Sequence, residues 1–190
     1  MRIVCLCLLL AVALLAADAS EPHISDLLIS RQGSELLLSF QLVNAFDDPL
    51  LERIQSGLPT SFHYHVKLER LRRWWFNNTV SRSELQVVAM YNAITREYLV
   101  NYKLDGRLIE SRVVKSEEEL ERAMTEFHAL SLLELPDVGG RLVARVRVEL
   151  GSKTILGLIP TTRHTEWAES ERFHAQGETI LTTPDSTDSP

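Results

Sequence analysis

Two histidines, His63 and His65, stand two positions apart in the run Phe62-His63-Tyr64-His65-Val66-Lys67-Leu68-Glu69. On a strand, that spacing projects both imidazoles from one face. Such a pair supplies two of the ligands that a zinc ion needs. The histidines further along the chain, His128, His164 and His174, and His23 before it, are scattered without ligand spacing. The simpler reading is a polar outer face shared with Lys67 and Glu69, so no metal is expected. No nucleophile elbow, phosphate-cradling glycine loop or paired-histidine protease helix is present, and no catalytic residue and no cofactor is expected. The acidic run Glu117 to Glu121 suits the start of a helix better than acid–base chemistry.

The densest basic-aromatic cluster follows directly. Arg70, Arg72, Arg73, Trp74 and Trp75, flanked by Lys67 and Phe76, form a candidate binding patch. Arginine and tryptophan dominate binding hot spots, and tryptophan also anchors proteins at membrane–water interfaces. The structural alternative is a core rim, with arginine stems packed and heads wet. Alternation puts Arg70, Arg72 and Trp74 on the face of Phe62, Tyr64, Val66 and Leu68 unless a bulge intervenes, and Arg73 and Trp75 on the other.

The elements that must position these residues are mostly strands. Ile24 to Ser30 and Glu35 to Val43 flank the turn Arg31-Gln32-Gly33-Ser34. Asp47 or Asp48 caps a short helix with Pro49 at its start and Gly57 after its end. The Phe62 to Glu69 alternation is expected to run on through Phe76 to the turn pair Asn77-Asn78. With Thr79 that pair also fits a glycosylation pattern, here read as a turn. Leu85 to Tyr91 is a strand, and Glu97 to Leu104 pairs with Arg107 to Val114 across Asp105-Gly106. Ser116 and Glu119 make a capping box for a helix with Leu120, Ala123, Met124, Phe127 and Leu130 on one side. Arg141 to Leu150 alternates, with Leu142, Ala144, Val146, Val148 and Leu150 inward and Arg145, Arg147 and Glu149 outward. Lys153 to Ile159 reads as a last strand, and Thr165 to Phe173 as a short amphipathic piece. The order hairpin, helix, strand, strand occurs twice, which leaves two readings: a duplicated ββαββ unit, or chance recurrence of a common antiparallel order. The fold class is α+β, mainly antiparallel β with sandwich-like sheet packing and two helices.

The start of the chain bears on location. Arg2, the apolar run Ile3 to Ala16 and the site Ala17-Asp18-Ala19 read as a secretory signal peptide over residues 1–19. The run is too short to span a bilayer comfortably. Cys5 and Cys7 both lie inside it, so the remainder has no thiol for a disulfide or a metal thiolate. About 170 residues remain, a length that fits one domain, taken as 20–175. Residues 176–190, rich in Thr, Asp, Ser and Pro, read as a disordered tail. A net charge of −6 disfavours nucleic acid as a partner.

Several blocks carry a family resemblance. They are Ser56-Gly57-Leu58-Pro59 before an alternating strand that closes on Arg70, Arg73 and Trp74-Trp75, then Tyr91-Asn92-Ala93-Ile94-Thr95-Arg96-Glu97-Tyr98, then Leu158-Ile159-Pro160, and Trp167 with Ser170. The chain resembles the bacterial exported family called domain of unknown function 4390 over nearly all of the part after the signal. Leu158-Ile159-Pro160-Thr161 departs from the Leu-Pro-Pro-Leu type run of that family, and Phe173 stands where it has tryptophan. The family has no assigned activity, so the resemblance implies no catalytic residue. Related genes that lie near a membrane sensor kinase imply a link to envelope signalling.

The expected function is therefore an exported, periplasmic, non-enzymatic binding or accessory module acting through a protein surface, on an envelope or inner-membrane protein or against the membrane surface. An uncleaved signal would anchor it at the periplasmic face. The alternative is a carrier of a hydrophobic ligand or lipid, with a cavity lined by Phe40, Tyr64, Val66 and Val146.

Overall fold

A computed structural model describes residues 21–72, 77–134, 139–155 and 159–174, with main chain only at 152–155 and 159–162. The signal segment, the tail and Arg73 to Phe76 lie outside the described residues. The elements run β1 (His23–Gln32), β2 (Glu35–Val43), α1 (Asp48–Gln55), β3 (Thr60–Arg70), β4 (Asn78–Asn92), β5 (Glu97–Leu104), β6 (Arg107–Val114), α2 (Glu117–Thr125), β7 (Glu126–Glu134), β8 (Arg141–Ile155), β9 (Ile159–His164), β10 (Ala168–Glu169) and β11 (Phe173–His174). They form a three-stranded sheet, β1-β2-β7, and a larger one ordered β10-β8-β3-β4-β5-β6, with β9 and β11 also on β8. Every pairing is antiparallel. The two sheets pack face to face, and the α+β class expected from the sequence is what forms.

Alternation decides which side faces in. Phe62, Tyr64, Val66 and Leu68 of β3 are buried, with Leu85, Val87 and Ala89 of β4 and the even row from Leu142 to Leu150 of β8. The small sheet answers with Leu36, Leu38, Phe40 and Leu42. Rings join the layers: Phe40, Tyr64 and Phe127 meet with centroids 4.9 to 5.6 Å apart. Such tilted and edge contacts favour aromatic pairs. Phe40, Tyr64, Val66 and Val146, the residues a carrier cavity would need, are thus packed in the core.

Both helices start where the sequence places them. Asp47 caps α1 through Leu50 N at 3.0 Å, and Ser116 caps α2 through Glu119 N at 3.1 Å. Glu119 returns a bond to Lys115 N at 2.9 Å. The open C-terminal carbonyls of α2 sit inside the core, where two tyrosines satisfy them. Tyr64 Oη donates to Met124 O at 2.6 Å and Tyr102 Oη to Ala123 O at 2.7 Å. Burial, and secondarily the neighbouring Tyr102, pushes the Tyr64 hydroxyl well above its ordinary value, so it stays a donor.

Several boundaries differ from expectation. The second helix ends at Thr125, and Phe127 and Leu130 belong to β7. Their helical spacing is coincidental: β7 pairs with β2, Phe40 beside Phe127 and Leu38 beside Leu130, and this tertiary pairing overrides local pattern. β3 stops at Arg70 rather than running to Phe76, after a register shift between Leu68 and Glu69. β8 continues to Ile155 and β9 begins at Ile159, so Lys153 to Ile159 is not one strand. The amphipathic piece after Thr165 contains two short strands on β8. The ββαββ order does recur, but β3 pairs with β4 while β7 and β8 lie in different sheets.

Candidate functional site

The outward row of β3 carries His63, His65, Lys67 and Glu69, and its neighbours across the sheet complete a charged lattice. β8 presents Arg145, Arg147 and Glu149 opposite Lys67, His65 and His63. β4 presents Glu84 opposite His65. His63 Nδ1 lies 2.8 Å from Glu84 Oε1, and His65 Nε2 lies 3.4 Å from Glu149 Oε2. His63 Nε2 meets Ser61 Oγ at 3.2 Å and Gln86 Nε2 at 3.4 Å. The two imidazoles are therefore tied into side-chain contacts of the sheet face. Among the described residues no group of three or more His, Cys, Asp or Glu is placed to hold a metal ion.

Glu69 is the buried anchor of this lattice. Lys67 Nζ sits 2.7 Å and Arg145 Nη1 3.4 Å from its carboxylate, and Asn77 Nδ2 donates to it at 3.3 Å. Burial alone would push the Glu69 carboxyl up. The lysine and arginine charges and the two hydrogen bonds outweigh that and hold it below the usual carboxylate range. Arg145 also reaches Glu169 on β10.

A segment after β9 brings an indole onto this face. Thr165 and Ser170 strap it to the side of β8. Val148 N donates to Thr165 Oγ1 and Ala144 N to Ser170 Oγ, both at 3.1 Å. In return Thr165 N donates to Val148 O and Ser170 N to Ala144 O, both at 2.9 Å. The hydroxyls replace main-chain acceptors in the ladder. Five steps of the strap span four of β8, so the chain between must bow, and Trp167 lies over the charged row. Lys67 Nζ is 4.1 Å and Arg147 Cζ 4.7 Å from a ring centroid of Trp167. Each distance is that of a cation–π contact.

Beside Trp167 opens a cleft of about 910 Å³, lined by residues 21–24, Arg147, Leu150 and Arg163 to Ala168. Arg147 Nε is buried and without a hydrogen-bond partner. Arg163 Nη1 is 3.9 Å from Asp47 Oδ2, too far for a tight pair. The cleft thus offers two guanidinium groups, an indole and an apolar wall, with the carboxylates of Glu21 and Glu166 also on its lining; an anionic group on a flat or apolar body would be met on the side of Arg147 and Trp167.

Of the candidate patch, Arg70 closes β3 half-buried, with its stem beside Gly140, and Arg72 is exposed. Arg73, Trp74 and Trp75 lie outside the described residues. The cleft residues Trp167, Arg163 and His164 were not singled out for binding from the sequence. The outward position of Arg147 was readable; its indole cover was not. A usable signal was the Thr165 and Ser170 pair flanking a lone tryptophan.

The two blocks that carry the resemblance meet in space. Gly57, at φ +82°, would bring a side chain within 3.8 Å of Tyr91 O, and only a residue at ease with positive φ suits that turn. Gln55 Nε2 donates to Tyr98 Oη at 3.2 Å. Asn92 Oδ1 accepts from Ile94 N at 3.0 Å and folds the turn that joins β4 to β5. These blocks are architecture at one end of the large sheet.

Fold and site together define a two-sheet α+β domain with one charged, indole-covered face. The chain belongs to the family described as Domain of unknown function (DUF4390), whose model matches residues 19–155. No curated protein and no solved structure matches it. No helix of the described residues is long and apolar enough to cross a membrane.

Proposed function

We propose that the protein is an exported, non-enzymatic binding module of the cell envelope that works through the outer face of its large sheet. The observation that carries this reading is Trp167, stacked with Lys67 and Arg147 at the mouth of a cleft, where Arg147 Nε has no partner. The ligand is an anionic group, a carboxylate or phosphate, on an envelope or inner-membrane protein. Export rests on the apolar run and the Ala17-Asp18-Ala19 site. A link to membrane sensor signalling is what the family resemblance adds. The hydrophobic-carrier alternative draws little support from a core in which Phe40, Tyr64 and Phe127 pack ring to ring.

The test pairs fractionation with capture. Protein from a periplasmic fraction should begin after Ala19, and a form starting at Met1 in the cytosol would sink the export reading. Wild type should retain an envelope component that the double variant Arg147→Ala with Trp167→Ala loses, while the two proteins melt within a few degrees of each other. Equal retention by both would remove the cleft from consideration.

A further inference from the structure

Among the described residues the large sheet ends in β6, whose outer edge has no neighbour and whose side chains from Arg107 to Val113 are exposed. Leu108, Ile109 and Val113 on it are 61%, 47% and 57% exposed. It contains neither proline nor glycine, the usual breakers of an edge. β6 is regular from Glu110 to Val114, after one register shift against β5 that leaves Ile109 as an extra residue; β1 carries a bulge between Ser25 and Leu28, and β7 two register shifts against β2. The far side of β8 is occupied by β9, β10 and β11. An exposed edge with apolar and oppositely charged side chains is a template for a strand that answers both.

The sequence of β6 says which strand fits. We propose that β6 pairs with β6 of a second copy, antiparallel about a two-fold axis at Ser111, to join two large sheets into one. In that register Glu110 stands opposite Arg112 of the second copy, and Arg112 opposite its Glu110. Val113 comes alongside Ile109, the extra residue of the bulge, and beyond it Leu108 has changed face, so the matched segment is the stretch around Ser111. Within one copy Arg112 Nη2 already donates to Glu110 at 3.1 Å, and its guanidinium lies 4.9 Å from the Tyr102 ring. Both charged side chains are thus held toward the same side of the strand, and the second copy meets them with the opposite order. Arg107 and Lys115 fall opposite each other at the ends, in water.

Neighbouring registers lack this match. A shift by one residue turns the inner face of one copy toward the outer face of the other. A shift by two sets Glu110 against Glu110 or Arg112 against Arg112, and like charges directly opposite are unfavourable. Over Glu110 to Arg112, the axis at Ser111 alone aligns the faces and the charges together. This surface lies on the opposite side of the large sheet from Trp167, so the dimer and the cleft are independent.

Sedimentation velocity across a concentration series, on the chain purified from cells that make it, tests the pairing. Wild type should be a dimer at high concentration. Glu110→Arg and Arg112→Glu should each weaken dimerisation by about tenfold or more, since each replaces two attractive opposite pairs with two repulsive ones. An equimolar mixture of the two variants should dimerise again, because each then faces its complement. Melting temperatures should hold, since both positions are exposed, and Val113→Lys offers a second disrupting variant outside the charge pair. A wild type that stays monomeric, including one that instead takes up a strand of another protein, overturns the proposal. So does a dimer indifferent to all three variants, or a mixture that stays as weak as its parts.

Discussion

The inner and outer faces of the large sheet share every strand and differ in how they are held. On β3, Phe62, Tyr64, Val66 and Leu68 enter a core built with the small sheet and the end of α2. One step along the chain, His63, His65, Lys67 and Glu69 meet carboxylates, guanidinium groups and a single indole. The inner face gains from area removed from water, which is non-directional and tolerant of detail. The outer face gains from charges whose worth depends on burial. Glu69 is covered and firmly paired, whereas His63 and His65 keep about a third of their side chains in water. A fold rests on the first kind of face and leaves the second free to bind.

The largest expected effect breaks the inner face. Val66 is 1% exposed, and a carboxylate there would be buried without a partner. Val66→Asp should cost upward of about 4 kcal/mol and leave the domain unfolded at ordinary temperature, as read by thermal denaturation. A variant that still melts cooperatively near wild type would show that this row does not form the core.

A middle-sized effect tests whether burial makes the outer face structural at one point. Glu69→Gln keeps the shape and removes the charge that Lys67 and Arg145 share. It should cost about 1–3 kcal/mol at pH 7. The Glu69 carboxyl is held below its ordinary value in the fold, so its contribution is present above the unfolded value and lost as pH falls through the folded one. The gap between wild type and variant should therefore be constant near neutrality and close below about pH 4. A gap that stays open in acid would mean the glutamate acts by packing and not by charge.

The inner face was legible because alternation has one physical cause, the two-residue repeat of a strand, and β2, β3 and β8 display it locally. The hairpins at Gly33 and at Asp105-Gly106 and both N-caps were legible for the same reason: turn and cap chemistry is contained within four residues. What was hidden is long-range. β7 reads as helix until β2 offers Phe40 to Phe127, and β10 and β11 are too short to have a pattern at all. The site suffers most from this. Lys67, Arg147 and Trp167 lie far apart in the chain, and only the strap at Thr165 and Ser170, anchored on β8 main-chain groups, brings the indole over the two cations. Spacing rules find pairs two or three residues apart, such as His63 and His65, and these prove to be members of a lattice rather than a centre.

The smallest effect sharpens the comparison most, because it uses the residue beside Val66. His65 touches Glu149 at 3.4 Å and Glu84 at 3.9 Å, and 30% of its side chain is exposed. Glu84 keeps its closer contact with His63 when His65 is gone, and Glu149, itself 43% exposed, turns to water. Neither partner is stranded, so the penalty for an unpaired buried group does not arise. His65→Ala should change stability by no more than about 0.5 kcal/mol. Measured side by side with Val66→Asp in thermal denaturation, the two variants separate the faces at a distance of one residue. If His65→Ala were as damaging as the core variant, the outer lattice would have to be reckoned a second core, and a surface so committed to stability could not also be the one that yields to a ligand.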